Sequence, residues 1–441
     1  MSFTHSLLPA CALLVAAAAS CAAAPRVVEK LDIAPVWAGH PVPFDLLTHA
    51  PWQFVAYYDA DRRMTVAWRR LGSDQWLYTV LPSSIGWDSH NYITMAVDDD
   101  GILHLSGNMH CAPLLYFRSA KPFDPATFER LPAMVDRDEK SCTYPRFFRG
   151  PANEFIFTYR DGRSGSGNQI YNVYDRPTRT WRRLLDKPLT DGQGRMNAYL
   201  NGPLRGPDGY FHLCWVWRNT PDCATNHDLS YARSKDLVHW ETSAGKAIEL
   251  PMTVDNAEVV DPVPPGGGMI NGNTIMGFDS QKRPVICYHK FDEEGKTQLY
   301  AARFEQERWN SRPVTRWDYR WEFNGGGTIV FEIRLGTLTV EPDGSLGLSY
   351  RHAKYGSGTI KLDEKTLAPI GQAARVRAWP AELDKVESDF PGMLVQWRRD
   401  AGSGYVMRWE TLGINRDRPR ETSWPPPSML RLYKIQSTPG E

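Results

Sequence analysis

Trp87 to Cys111 reads WDSHNYITMAVDDDGILHLSGNMHC, and its pattern decides the fold class. Ile93, Met95 and Val97 alternate with Tyr92, Thr94 and Ala96, Asp98 to Gly101 has turn chemistry, and Ile102 to Ser106 resumes the alternation. A hairpin folded near residue 100 sets His90 opposite His110 at its open end. The next segment repeats the device: Thr143 to Phe148 turns through Gly150 to Asn153 into Glu154 to Tyr159, so Tyr144 is expected opposite Arg160. A third copy turns at Pro207 to Gly209 and is expected to set Arg218 roughly opposite Tyr199. Three successive hairpins thus collect His90, His110, Tyr144, Arg160, Tyr199 and Arg218 at one end.

Further hairpin turns are read at Ser280 to Arg283 and Glu341 to Gly344. A second signature recurs beside them, an aromatic or aliphatic strand ending near an Arg, then a loop, then Trp or Phe. It is centred near Arg69, Arg118, Asp175, Arg233, Arg303, Lys361 and Arg408. A hairpin plus an outer hairpin makes a four-stranded antiparallel blade, and seven such units predict an all-β, seven-bladed β-propeller. Val27 to Trp37 and Met429 to Ile435 both read as strands, and pairing them would close the ring.

Composition agrees with short strands and turns. The 441 residues include 16 Trp, 19 Tyr, 35 Gly and 33 Pro, with no long helical periodicity. Lys plus Arg and Asp plus Glu both number 51, so no global field recruits nucleic acid or a membrane surface. An anionic ligand would need local arginines.

Residues 1–24 carry an apolar run of signal-peptide length followed by small residues, too short for a comfortable span. They predict export, to the periplasm, the medium or, with Cys21 as a lipidation site, the outer membrane. Residues 25–441 are expected to form a single domain, acting as a monomer. Beyond the leader, Cys111, Cys142, Cys214, Cys223 and Cys287 are odd in number and lack paired short spacing. Small buried thiols are the favoured reading, with Cys214 to Cys223 the one disulfide candidate. His227 and His289, with Cys214, are the weak candidates for a structural divalent cation, because no ligand spacing fixes their geometry.

The open-end residues suit elimination at a uronic acid. That reaction needs positive charge against the C6 carboxylate, a base for the C5 proton and an acid for the O4 leaving group. Arg160 can grip a carboxylate with two parallel hydrogen bonds. Tyr144 can move a proton if the facing Arg160 draws its pKa down from about 10. His90 or His110, with ordinary values near ~6.5, can share that role or stabilise the enolate. No cofactor is required. Arg334 and Arg351 bracket the Glu341 to Gly344 turn and, as further substrate contacts, should join Arg160 and Arg218 at the open-end face and make it locally basic.

The segments GHPVPFDLLTH, IGWDSHNYITMAVDDDGILHLSGNMH, CTYPRFF, YRDGRSGSGNQIYNVYD and NHDLSYARSKDLVHW resemble the seven-bladed propeller polysaccharide lyases, which include ulvan lyases and lyases of rhamnosyl-glucuronate linkages. The resemblance runs from about Trp37 to Leu367. It implies that His90, His110, Tyr144 and Arg160 form the elimination site, with Tyr199 and Arg218 as less firmly matched substrate contacts, and that the partner is an anionic, uronate-containing polysaccharide. A branch of the same fold is similar to α-L-rhamnosidases that hydrolyse rhamnose from glucuronate on the opposite face using a histidine. His49 and Gln281, at turn ends, keep that reading open. A propeller that binds carbohydrate without catalysis is the third class.

Overall fold

The computed structural model describes residues 25–373, 379–400, 402–421 and 423–436. The expected signal segment and Cys21 lie outside the described residues. The described residues fold into seven antiparallel sheets and short 3-10 turns; five sheets have four strands, one has five and one has six. Six follow the chain in order, from Asp45–His49 in the first to Pro369–Ala373 in the sixth, except that His110–Ala112 of the third precedes the last two strands of the second. The seventh joins Met393–Arg399, Tyr405–Leu412 and Ser428–Gln436 to the N-terminal strand Arg26–Val36. Arg26 pairs with Gln436 and Val36 with Ser428, so the two chain ends share one sheet, as their strand-like sequences predict.

The first hairpins owe their shape to one local rule. In five sheets the turn returns at residues 98–102, 150–154, 206–210, 279–283 and 341–345, each closed by a backbone bond from its first N–H to its last carbonyl. The fourth residue of each has positive φ: Gly101 78°, Asn153 65°, Gly209 88°, Lys282 64° and Gly344 81°. Gly and Asn enter this left-handed region at least cost, so they mark four of the five turns in the sequence, the fifth carrying Lys282. The outer signature also falls on one structural position. Arg69, Arg118, Arg233, Arg303 and Lys361 lie on the third strand of their sheets and Asp175 on the fourth of its five-stranded sheet, whereas Arg408 lies on the second strand of the seventh. That sheet takes its outer strand from the other chain end, which displaces the pattern.

Second strands such as Phe211–Arg218 and Tyr405–Leu412 are buried from end to end. Burial of consecutive residues means that both sheet faces are covered, each by a neighbouring sheet. One apolar cluster runs from Leu430 and Trp409 of the seventh sheet through Phe54 and Leu105 to Phe157 of the third. Others join Ile156 to Trp215, Val216 to Ile286, and Val285 to Leu348, linking the third to sixth sheets in sequence. Sheet faces are thereby committed to packing, and the connections at the strand ends are free to carry chemistry.

Candidate active site

A cavity of about 310 Å³ opens at the ends of these sheets, and residues far apart in sequence line it. His90 comes from the connection between the first two sheets, His110 and Tyr144 from the third, Tyr199 and Arg218 from the fourth, Asn271 and Thr328 from later connections and Arg334 from the sixth.

The two histidines meet, although the hairpin does not extend far enough to pair them. Ile93–Val97 pairs with Leu103–Gly107, ending at Ile93 opposite Gly107, and His110 pairs instead with Thr143 of the next sheet. Their rings stack with centroids 4.1 Å apart and 28° between planes. Asp88 holds both: its Oδ1 lies 2.7 Å from His90 Nδ1 and its Oδ2 2.5 Å from His110 Nδ1. The His90 backbone N–H also donates to Asp88 Oδ1 at 2.9 Å, a local turn that the Asp-Ser-His order makes natural. With both Nδ1 positions donating to a carboxylate, each neutral ring presents an unprotonated Nε2. Burial opposes the Asp88 charge, but hydrogen bonds and charge from His110 and His90 outweigh it and hold its carboxyl well below the usual carboxylate range.

A second carboxylate fixes this loop from across the molecule. Asp417 accepts from Ser89 N–H at 3.0 Å and Ser89 Oγ at 2.7 Å, and from Thr328 N–H at 2.6 Å. His40 Nε2 lies 3.4 Å away. Burial again disfavours the charge, and His40, the Ser89 bonds and His90 together push its pKa far down.

Tyr144 occupies a backbone bulge. Thr143 pairs with Arg160 and Arg146 with Thr158, so the register slips between them, and Tyr144 adopts φ 60°. Left-handed backbone is uncommon for a bulky residue, and a bulge re-aims its side chain. Tyr92 donates from its hydroxyl to the Pro145 carbonyl at 3.1 Å, bracing the bulge. The bulge moves the expected partner by one, so Arg160 stands opposite Thr143 rather than Tyr144. A similar shift places Arg218 opposite Asn197, with Tyr199 opposite Val216. Side chains restore the proximity: Arg218 Nη1 lies 3.5 Å from the Tyr199 hydroxyl, and the Tyr144 and Tyr199 rings are 6.1 Å apart.

Arg160 does not line the cavity. It is only 2% exposed, with its guanidinium 5.1 Å from the Tyr144 ring centroid and 6.0 Å from that of Tyr199. Nη2 donates to Thr143 Oγ1 at 3.0 Å and reaches Cys111 Sγ at 3.4 Å, while Nε and Nη1 are buried without partners. No carboxylate pairs with it among the described residues. The geometry therefore corrects the expected two-pronged carboxylate grip by Arg160. The arginines that line the cavity are Arg218 and Arg334, and the Arg218 guanidinium donates to the Thr220 and Pro221 carbonyls and Asn271 Oδ1 beside the Tyr199 hydroxyl. The expected lowering of the Tyr144 pKa is also overturned: burial and Tyr199 push it up, outweighing Arg160, so the phenol is protonated at neutral pH. Arg334 does pair with Arg351 across its hairpin, but Arg351 is exposed and outside the cavity lining.

The remaining candidates are dispersed. His49 is exposed, 5.1 Å from the Phe123 ring, and Gln281 is exposed at its own turn; no hydrogen bond or ring contact joins them among the described residues. His227 is satisfied by Asp228 at 2.9 Å and Asn219 at 2.8 Å. His289 packs on Trp321, and burial lowers its pKa to about 4. Neither belongs to a set with metal-binding geometry. Among the described residues that geometry occurs at Asp88, His90 and His110, whose donor atoms lie within 4.8 Å of one another. All five described cysteines are free, Cys214 and Cys223 included, and only Cys111 is exposed.

Asp88, Asp417, Ser164, Asn271 and Thr328 escaped the sequence reading. Asp88, two residues before His90, carried a local signal. Asp417 carried none, since only the fold brings it there.

A family model described as a BNR repeat-containing family member matches residues 52–317, and the chain belongs to that family. Among solved structures, the polysaccharide lyase Uly1 is similar over 93% of this chain and 99% of its own, with TM-score 0.58 and 13% identity. A PL25 ulvan lyase bound to -[GlcA(1-4)Rha3S]- is similar over 93% of this chain and 96% of its own, with TM-score 0.56 and 13% identity. At such identity these likenesses establish a shared fold. No curated protein matches the chain. Among the described residues, no helix is long and apolar enough to cross a membrane.

Proposed function

We propose that this protein is a polysaccharide lyase that breaks a rhamnose–uronate linkage by β-elimination in the cavity bearing His90, His110 and Tyr144. The observation that carries the reading is the histidine pair held by Asp88, facing a protonated Tyr144 in a cavity that also bears Arg218 and Arg334. The seven sheets are taken to close as a seven-bladed propeller, with Arg26–Val36 completing the last blade. The fold shared with polysaccharide lyases agrees with this reading.

In the proposed reaction the uronate carboxylate sits against Arg218 and Arg334, which stabilise the charge that grows on it. An unprotonated Nε2 of His90 or His110 removes the C5 proton. The electron pair forms the C4–C5 double bond as the C4–O4 bond breaks, and Tyr144 gives its proton to O4. Asp88 stabilises the imidazolium, and the nearby Arg160 guanidinium stabilises the phenolate; the proton then returns from imidazolium to phenolate through solvent. General acid–base steps of this kind contribute about 10²–10⁴-fold each. The Asp88–His90–His110 set could hold a divalent ion, but the scheme uses none.

Export through residues 1–24 and action as a monomer on an anionic extracellular glycan belong to the same proposal. Incubation with a panel of rhamnose- and uronate-containing polysaccharides tests it. Growing ultraviolet absorbance from an unsaturated uronate supports elimination. Sugar release without that absorbance would transfer the function to a hydrolase, with His49 the first residue to test.

A further inference from the structure

We propose that Arg62, Trp37, Trp87 and Trp424 form a subsite for an anionic sugar residue, next to the cavity and on the same face. Arg62 lies in the turn between Trp52–Tyr58 and Arg63–Arg70, at the opposite end of the first sheet from His49. Its guanidinium carbon is 4.5 Å from the Trp37 ring centroid, 5.3 Å from Trp87 and 5.9 Å from Trp424. Trp87 makes edge contacts with Trp37 at 5.1 Å and Trp424 at 4.7 Å. Trp87 directly precedes Asp88, so this cluster and the histidine pair share one loop. The Ile85 N–H donates to the Arg62 carbonyl at 2.9 Å and ties that loop to the turn.

Half-buried Arg62 lacks the carboxylate that three of the fully buried arginines have, and shares that lack with Arg160 and Arg218 beside the cavity. Arg69 meets Glu29 at 2.8 Å, Arg303 meets Asp279 at 3.1 Å and Arg408 meets Glu410 at 2.6 Å. Among the described residues Arg62 has no carboxylate and no side-chain hydrogen bond, and its Nε is buried without a partner, as is Trp37 Nε1. Trp424 is 46% exposed, a large indole left facing solvent. An aromatic face accepts the apolar face of a sugar ring, and a guanidinium held over such faces takes a carboxylate or sulfate oxygen with its free N–H groups. Placed beside the cavity, the pair suits another residue of the same anionic chain; this inference therefore rests on the lyase reading for what occupies the site.

The test uses Arg62→Gln and Trp424→Ala, each in a Tyr144→Phe background that stops turnover. Rhamnose–glucuronate oligosaccharides of two and six residues, with and without sulfate esters, are titrated by calorimetry. Each substitution should weaken hexasaccharide binding about ten-fold and leave disaccharide binding unchanged. An Arg62→Gln loss confined to sulfated chains assigns the anion as sulfate, and an equal loss in both series assigns it as carboxylate. Unchanged hexasaccharide affinity, or equal weakening at both lengths, overturns the subsite while leaving the lyase reading intact. Failure of the background protein to bind any of these sugars overturns both.

Discussion

Asp88→Asn removes one charge and one acceptor from the centre of the site while keeping the side-chain shape. The carboxylate accepts from both imidazoles, at 2.5 and 2.7 Å. An amide has one acceptor oxygen and one donor nitrogen, so it can hold only one ring with Nδ1–H. The other ring must accept at Nδ1 and move its proton to Nε2, which points a donor where the base is needed. The imidazolium formed during proton removal also loses its counter-charge. General-base loss of this kind costs about 10²–10⁴-fold in turnover. Bonds to a charged partner are worth about 1.5–3 kcal/mol each, and partial exposure of all three groups places the stability loss toward the lower end of that range. Initial rates of unsaturated-uronate formation, with thermal melting in parallel, should show a large fall in kcat, a small change in KM and a folded protein. Asp88→Glu, which keeps the charge, should recover part of the rate. Turnover by Asp88→Asn within about three-fold of the wild type would refute the argument that the shared carboxylate sets both tautomers.

Replacing Arg160 by Met removes a buried cation with two unpartnered donors, so melting temperature should hold or rise while turnover falls, because phenolate formation at Tyr144 loses its neighbouring charge. Arg218→Ala should raise KM as well as lower kcat in the same assay, since it removes a cation from the cavity lining and the anchor of Tyr199 and Asn271. Asp88 and Asp417 have folded pKa values below their unfolded ones, so their stabilisation is complete above the ordinary aspartate value of about 3.9 and is lost as pH falls through the depressed values. Urea midpoints should therefore fall more steeply below about pH 4 in the wild type than in Asp417→Asn. A thiol reagent should label Cys111 in the folded protein and reach Cys142, Cys214, Cys223 and Cys287 only after unfolding.

Four of the five hairpin turns are legible because the left-handed position favours Gly and Asn, a backbone preference visible without tertiary information. The pairing of the two chain ends was legible for a related reason, since both stretches alternate and lack any other partner in sequence. The meeting of His90 and His110 was inferred from a hairpin that stops short of them, and what joins them is Asp88, a residue inside the quoted stretch. Register was the main casualty. The bulge at Tyr144 depends on how the Cys142–Arg149 strand meets its neighbours, and no local signal marks it. The role of Arg160 was misread because a charged residue at a strand end reads as exposed, whereas its enclosure behind two tyrosines exists only once neighbouring sheets pack. Asp417 lay beyond any sequence argument for the same reason.

The central claim is that elimination occurs on the face bearing Tyr144. Its most direct measurement is ultraviolet absorbance during digestion of a rhamnose–glucuronate polysaccharide by the wild type, Tyr144→Phe and His49→Ala. The account predicts rising absorbance with the wild type and with His49→Ala, and a rate at least about 10²-fold lower with Tyr144→Phe at little cost in substrate binding. Full activity in Tyr144→Phe together with an inactive His49→Ala would contradict it and place the chemistry on the opposite face.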